Sequence, residues 1–163
     1  MRVNKGFSFL VVMVLLVASL SGCQKKQEKV LNLNDVTSFQ LVELGLSWEG
    51  DEQDLIQMIK ENEIEVKNEI NHTSQDSLTL LNNFVDGLSS NKVTNVFPVG
   101  DITVVELVLS KQKVNIRYLI IRYNSDPISS QLIVLDLQSD SIDKYVIPES
   151  LYQDTLIHLL NTI

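Results

Sequence analysis

The chain has little of several residue types that build functional sites. Among its 163 residues there are one cysteine, one tryptophan, two histidines and three prolines. A single cysteine cannot form an intramolecular disulfide, and two histidines supply few ligands for a zinc site. Basic residues are also scarce, since 13 Lys and Arg stand against 21 Asp and Glu, which gives a net charge of -8. Nucleic acid repels such an acidic chain, so we expect no nucleic-acid partner.

The longest apolar run lies near the N-terminus. Arg2 and Lys5 precede residues 7–20, FSFLVVMVLLVASL, and two small residues follow them. A basic start, an apolar centre and a small-residue end are typical of a secretory signal peptide. The run of 14 residues is shorter than the roughly 18 to 20 that a helix needs to cross a bilayer. A removable signal is therefore favoured over a permanent transmembrane helix.

The only cysteine stands directly after this run, in the motif Leu20–Cys23, LSGC. The motif resembles the bacterial lipobox, in which an aliphatic residue and two small residues precede a cysteine. That resemblance implies diacylglyceryl attachment to the Cys23 sulfur and cleavage before it. Residues 1–22 are then a lipoprotein signal peptide, and the lipid holds the mature chain at the outer face of the cell membrane. The alternative is an ordinary signal peptide followed by a chance cysteine.

The rest of the chain divides into a tether and one domain. Residues 23–35 are polar and charged, which predicts a lipidated tether whose lysines lie near the lipid headgroups. Residues 36–163 are predicted to form a single globular domain. Removal of Arg2 and Lys5 leaves 11 basic residues against 21 acidic ones, so the mature protein has a net charge of -10.

Hydrophobic periodicity predicts alternating strands and helices in the domain. Strands are predicted at 36–44, 63–70, 102–110, 114–123, 131–137 and 141–147, and helices at about 74–89 and after Pro148. Residues 51–62 fit either a short helix or a loop. Short loops between consecutive strands favour antiparallel pairing. We therefore predict a two-layer α+β domain, with a mostly antiparallel sheet of five to six strands and two to three helices packed on one face.

Three segments carry a resemblance to a known family: SQDSLTLLNNFVDGL, the paired strands from Ile102 to Tyr123, and YVIPESLYQDTLIHLL. Over about residues 36–163 the pattern resembles small lipoproteins of Gram-positive bacteria, in particular the YhfM-like group. Residues 48–62 look like an insertion relative to that pattern. The resemblance implies export and membrane anchoring, and it brings no catalytic residues.

Short motifs that accompany catalysis elsewhere are present but stand in the wrong context. The Ser-x-x-Lys spacing occurs at Ser89/Lys92, Ser110/Lys113 and Ser141/Lys144. Each pair lies at a loop or strand end, without the partner motifs of penicillin-binding enzymes. Asp154 and His158 fit an exposed pair one helical turn apart. We therefore predict no catalytic residue and no enzymatic activity.

Metal and cofactor sites have equally weak signals. Acidic residues cluster at Asp136, Asp140 and Asp143 and at Asp51, Glu52 and Asp54. Neither cluster has the spacing of an EF-hand, so calcium binding stays open while no metal site and no cofactor are predicted. His72 has no further His or Cys at ligand spacing. Arg117 and Arg122 fall on opposite faces of one predicted strand, which argues against a basic patch.

Trp48 is the one candidate for a partner contact. It lies in GLSWEG, residues 45–50, where it could anchor a partner or fold back onto the core. The anchor and the lack of a chemical motif favour a non-enzymatic lipoprotein that binds a protein or envelope partner. An exported enzyme inhibitor, a small-ligand sensor, and an enzyme whose site is assembled from distant residues remain as alternatives.

Overall fold

The computed structural model describes residues 30–46, 48, 50, 52–88, 101–124 and 128–161. Strands β1 to β6 are Phe39–Leu44, Val66–His72, Ile102–Leu109, Ile116–Tyr123, Ser129–Asp136 and Ser141–Ile147. Helix α1 is Glu52–Lys60 and helix α2 is Gln75–Gly87. The C-terminal helix α3 consists of Glu149–Leu151, a π-helical turn Tyr152–Leu156, and Ile157–Asn161.

The six strands form one open sheet in the order β2-β1-β3-β4-β5-β6, and every neighbouring pair is antiparallel. The predicted α+β class with an antiparallel sheet and helices is thus confirmed. The open question at residues 51–62 is also answered, because α1 occupies Glu52–Lys60. No helix in the described part of the chain is long and apolar enough to cross a membrane.

Helices cover both faces of the sheet. Leu81 and Phe84 of α2 pack with Leu107 and Ile120, and α3 packs on the same face. We call this face A, and the opposite one face B. On face B the inner side of α1 packs against apolar residues that alternate with those of face A. Two helices therefore share one face, as predicted, and α1 adds cover on the other.

Helix α1 ends in a Schellman motif. Asn62 adopts a positive φ of 54°, and its N–H donates to the carbonyl of Ile59 at 3.3 Å. The N–H of Glu63 donates to the carbonyl of Met58 at 3.1 Å. Asparagine tolerates this left-handed conformation better than most residues, so the helix stops here and the chain turns towards β2.

Strand β2 begins later than the alternating sequence predicts. The pattern placed a strand from residue 63, but the strand starts at Val66, because the end of α1 uses the preceding residues. Val66 is 46% exposed rather than turned inward. As an edge strand, β2 buries little, and its side chains form polar pairs instead, with Lys67 3.2 Å from Glu43 and Gln40 3.2 Å from Glu69. Charged side chains on an edge strand discourage pairing with other chains.

The folded domain begins before residue 36. Leu31, which the sequence assigns to the tether, is only 1% exposed and belongs to the core of face A. Val30 and Leu33 pack against the same cluster. Isolated apolar residues in a short polar stretch show no hydrophobic periodicity, so the sequence alone assigns them to the tether. The packed core therefore includes residues that the sequence assigns to the tether.

His72 is buried at the end of β2. Its ring stacks on Phe39, with centroids 4.6 Å apart, and its Nδ1 lies 3.2 Å from the hydroxyl of Ser77. Burial lowers the pKa of His72, and the nearby backbone of Leu159 opposes that shift only in part. Its Nε2 forms no hydrogen bond of normal geometry with the described residues. The structure therefore holds this imidazole in its neutral form.

We predict that His72 makes the protein less stable as the pH falls from 7 towards 5.5. The unfolded chain binds a proton near pH 6.5, whereas the folded chain resists protonation, so acid favours unfolding. In His72→Gln the fall in melting temperature across this range should be smaller. His158→Gln, which changes the other histidine, an exposed one, is the matched control. An unchanged slope in His72→Gln would contradict the prediction.

Candidate functional site

Several residues singled out in the sequence lie outside the described residues or are separated in the fold. Cys23, Ser89 and Lys92 are outside the described ranges. The hydroxyl of Ser110 accepts hydrogen bonds from the backbone of Thr37 and Ser38 at 3.2 and 3.0 Å, which explains it structurally.

The remaining candidate pairs do not assemble into a site either. Ser141 and Lys144 are three apart on β6, so they point to opposite faces. Asp154 and His158 are both exposed on α3.

Two carboxylates of the acidic turn after β5, those of Asp136 and Asp140, already have partners within the protein. Asp136 accepts from the backbone N–H of Gln138 and from the hydroxyl of Ser139, both at 2.9 Å, and these bonds lower its pKa. Asp140 pairs with Lys60 of α1 at 2.6 Å. Within the described ranges, no three His, Cys, Asp or Glu residues lie close enough to hold a metal ion.

Trp48 packs against the core of face B. It is partly buried there together with Leu46 and Ile64. A Cβ added at Gly50 would overlap the Trp48 ring, so glycine at that position makes room for the indole. These contacts favour the interpretation of Trp48 as part of the fold, while its partly exposed surface leaves a partner contact as a prediction.

A pocket of about 430 Å³ lies where the end of α1 meets the β3–β4 hairpin on face B. Lys60 and Asn62 line it from α1, and Val108, Val114 and Leu137 supply apolar wall. Its volume is within the range of small-ligand sites. Glu106 and Arg117 are also among its lining residues.

Glu106 and Arg117 form a nearly buried, bidentate ion pair. The Nε and Nη2 of Arg117 donate to the two carboxylate oxygens at 2.7 and 2.6 Å. The side chains are only 14% and 15% exposed. Nη1 donates to the carbonyl of Ile59 and, at 3.1 Å, to Asn62 Oδ1. Most of the donors of the guanidinium are thus used within the protein, so the pair fixes the end of α1 rather than offering a free charge to a ligand.

Arg122 forms the corresponding cluster on face A. It makes a bidentate ion pair with Glu149, with both bonds at 2.8 Å, and lies 4.2 Å from the ring centre of Tyr152. The Arg122 hydrogen bonds lower the pKa of Glu149 and the side-chain bond from Gln153 adds to this effect. Burial raises the pKa of Tyr152. The cluster joins the start of α3 to β4.

The sequence predicts that the two arginines lie on opposite faces, and the structure confirms this, with Arg117 beside α1 and Arg122 beside α3. Their carboxylate partners were not predicted. A signal was present, because Glu106 interrupts the apolar run ITVVELVLS and Arg117 lies in the next strand. Charged residues inside buried strands are nearly always paired, so the two strands implied a partner for each charge.

We predict that Arg117→Met lowers the free energy of unfolding by about 3 kcal/mol, because it leaves the Glu106 carboxylate buried without a partner. Chemical denaturation measures the change. The double variant Arg117→Met with Glu106→Leu should be less destabilised than the two single changes together, since it removes both charges. Asp140→Asn, which breaks an ion pair whose Asp side chain is 79% exposed, is the control and should cost less than about 1 kcal/mol. Strict additivity at Arg117 and Glu106 would contradict their coupling.

We also predict that Trp48→Ala lowers the free energy of unfolding by about 2 to 3 kcal/mol, somewhat less than a fully buried aromatic residue. In the wild type, acrylamide should quench the single tryptophan only partly, because one side of the ring packs on face B. Trp48→Phe should recover much of the lost stability. Easy quenching together with a negligible change in melting temperature would instead favour Trp48 as an exposed partner contact.

Comparison with known proteins adds no assignment: no family model, no curated protein and no solved structure matches the chain.

Proposed function

We propose that this chain is an exported lipoprotein, anchored through Cys23 to the outer face of the cell membrane, whose domain binds a protein or envelope partner without catalysing a reaction. The observation that carries the proposal is the motif LSGC directly after a basic start and an apolar run of 14 residues. The proposal includes membership of the YhfM-like group, which rests on the pattern of elements alone.

The start of the folded domain supports the anchoring part. Leu31 is buried, and Cys23 precedes it by only eight residues of sequence. A cysteine shortly before the domain suits lipidation, because the acyl chains must reach the bilayer while the domain stays outside it. Two acyl chains suffice for durable attachment, whereas one chain holds a protein only marginally.

The non-enzymatic part of the proposal is supported by the ion pairs and hydrogen bonds that the described polar groups already form. The Glu106–Arg117 and Arg122–Glu149 pairs are bidentate and are directed at each other and at helix ends. Catalytic groups need an unoccupied position where a reacting atom can sit within hydrogen-bonding distance. Glu106 and Arg117 line the pocket on face B, but their bonds to each other and to the end of α1 already use both carboxylate oxygens and most of the guanidinium N–H groups, which favours a binding function over an enzymatic one.

We predict that cells expressing the full chain incorporate an alkyne-tagged fatty acid into it, and that Cys23→Ser abolishes the label. The variant has no thiol, because Cys23 is the only cysteine. Detection by click chemistry on a gel measures the label, and membrane fractionation should show that the wild type is held more firmly. Ser21→Ala is the matched control, since a small residue remains before the cysteine. An unlabelled wild type would overturn the proposed function.

A further inference from the structure

The first residues of the domain are fastened to one end of the sheet. The carbonyl of Asn32 accepts a hydrogen bond of 2.8 Å from Nε2 of Gln112. Gln112 belongs to the loop between β3 and β4, residues Ser110–Asn115, which we call the hairpin loop. Next to Asn32, the side chain of Leu31 is buried in the core. The chain therefore enters the domain beside the hairpin loop.

The connection from the anchor to this point is short. Six residues, 24–29, lie between Cys23 and Val30. Fully extended, they allow a span of at most about 25 Å. A domain of this size has a radius of gyration of about 14 Å and is therefore roughly 35 Å across. If Cys23 carries the lipid, as proposed above, the hairpin loop is held within reach of the bilayer surface.

The hairpin loop presents an apolar side chain next to two cations. Val114 is 95% exposed, and the exposed Lys111 and Lys113 precede it. The loop has a defined shape: Ser110 N–H donates to the Ser38 carbonyl at 3.0 Å, and the carbonyl of Asn115 accepts from the N–H of Leu137 at 2.8 Å. An exposed apolar residue beside lysines is a composition that suits the boundary between headgroups and acyl chains.

Charge distinguishes the hairpin loop from its surroundings. The loop, residues 110–115, contains Lys111 and Lys113 and no acidic residue, while Asp35, Asp136 and Asp140 lie in neighbouring segments at this end of the sheet. Asp136 is near enough to Lys113 to act on it electrostatically, so it reduces the local positive charge. The loop is thus a local site of positive charge on a mature protein that carries -10 as a whole. An anionic surface therefore attracts the loop more than the acidic remainder of the protein.

We propose that the hairpin loop docks on the anionic surface of the membrane that holds Cys23, with Val114 among the lipid headgroups and the opposite end of the sheet directed away. The occupant is a bilayer with anionic lipid, which matches both the exposed valine and the lysines. The inference rests on the proposed function, because the short connection matters only if Cys23 is lipidated.

The test uses the mature, lipidated full-length protein in vesicles of phosphatidylglycerol and phosphatidylcholine. Val114→Cys introduces the only free thiol if Cys23 is acylated, and a maleimide carries an environment-sensitive fluorophore to it. Ile128→Cys is the matched control, because Ile128 is 55% exposed and lies beside β5 at the other end of the strands. The label at 114 should shift its emission to the blue and be quenched by spin-labelled lipid. The label at 128 should do neither.

Neutralising the two lysines tests the electrostatic part. The variant combines Val114→Cys with Lys111→Gln and Lys113→Gln. Its equilibrium constant for docking, the ratio of docked to undocked orientations, should fall about fivefold for each lysine removed. The same loss should occur when the vesicles contain phosphatidylcholine alone. Flotation with the vesicles should remain complete in both cases, since the lipid itself still holds the protein.

The outcomes separate the two proposals. Uptake of the dye by the wild-type protein would reveal an unmodified Cys23 thiol, and the proposed function would then fail. Complete flotation with equal emission and quenching at 114 and 128 would instead leave the anchor intact and overturn the docking of the hairpin loop. Docking that persists on neutral vesicles would overturn its electrostatic basis.

Discussion

Strand β4 is apolar on both faces, and the arrangement of the helices follows from that constraint. Leu119 and Ile121 point to face B while Ile120 points to face A, and all three are at most 1% exposed. A sheet with such a strand near its centre needs cover on both sides, because each uncovered face would leave apolar surface in water. The cover is α1 on one face and α2 with α3 on the other.

The same strand fixes two of these helices through its arginines. Arg117 reaches the carbonyl end of α1, where the helix dipole favours a cation, and Glu106 neutralises the buried charge. Arg122 holds Glu149, an acidic residue in the first turn of α3, where the dipole favours an anion. Arg117 therefore reaches a helix C-terminus directly, whereas Arg122 acts through Glu149 at a helix N-terminus. In both cases a carboxylate partners the charge that the strand carries into the sheet.

The sequence predicted the positions of helices and strands better than the contacts between them, and particular residues show why. Helix α2 begins close to the predicted residue 74, with Ser74 as its cap, and β6 occupies the predicted residues 141–147, because capping and alternation are local properties. The run Leu119, Ile120 and Ile121 was a signal of burial on both faces, but only the fold shows which helix supplies the second cover. Leu31 gave no signal at all, since one apolar residue in a polar stretch has no period, and its burial depends on contacts made far along the chain.

The position of the pocket on face B affects which molecules can reach it. Val114 and Lys113 line it together with Val108 and Leu137, so its rim includes the hairpin loop. Docking of that loop on the membrane would place the opening of the pocket close to the headgroups, which restricts access by large soluble partners from that side. Trp48 lies elsewhere on face B, next to α1 and Ile64. A protein partner would then approach the anchored domain most freely at surfaces remote from the hairpin loop, and the short connection to Cys23 would determine which surfaces those are.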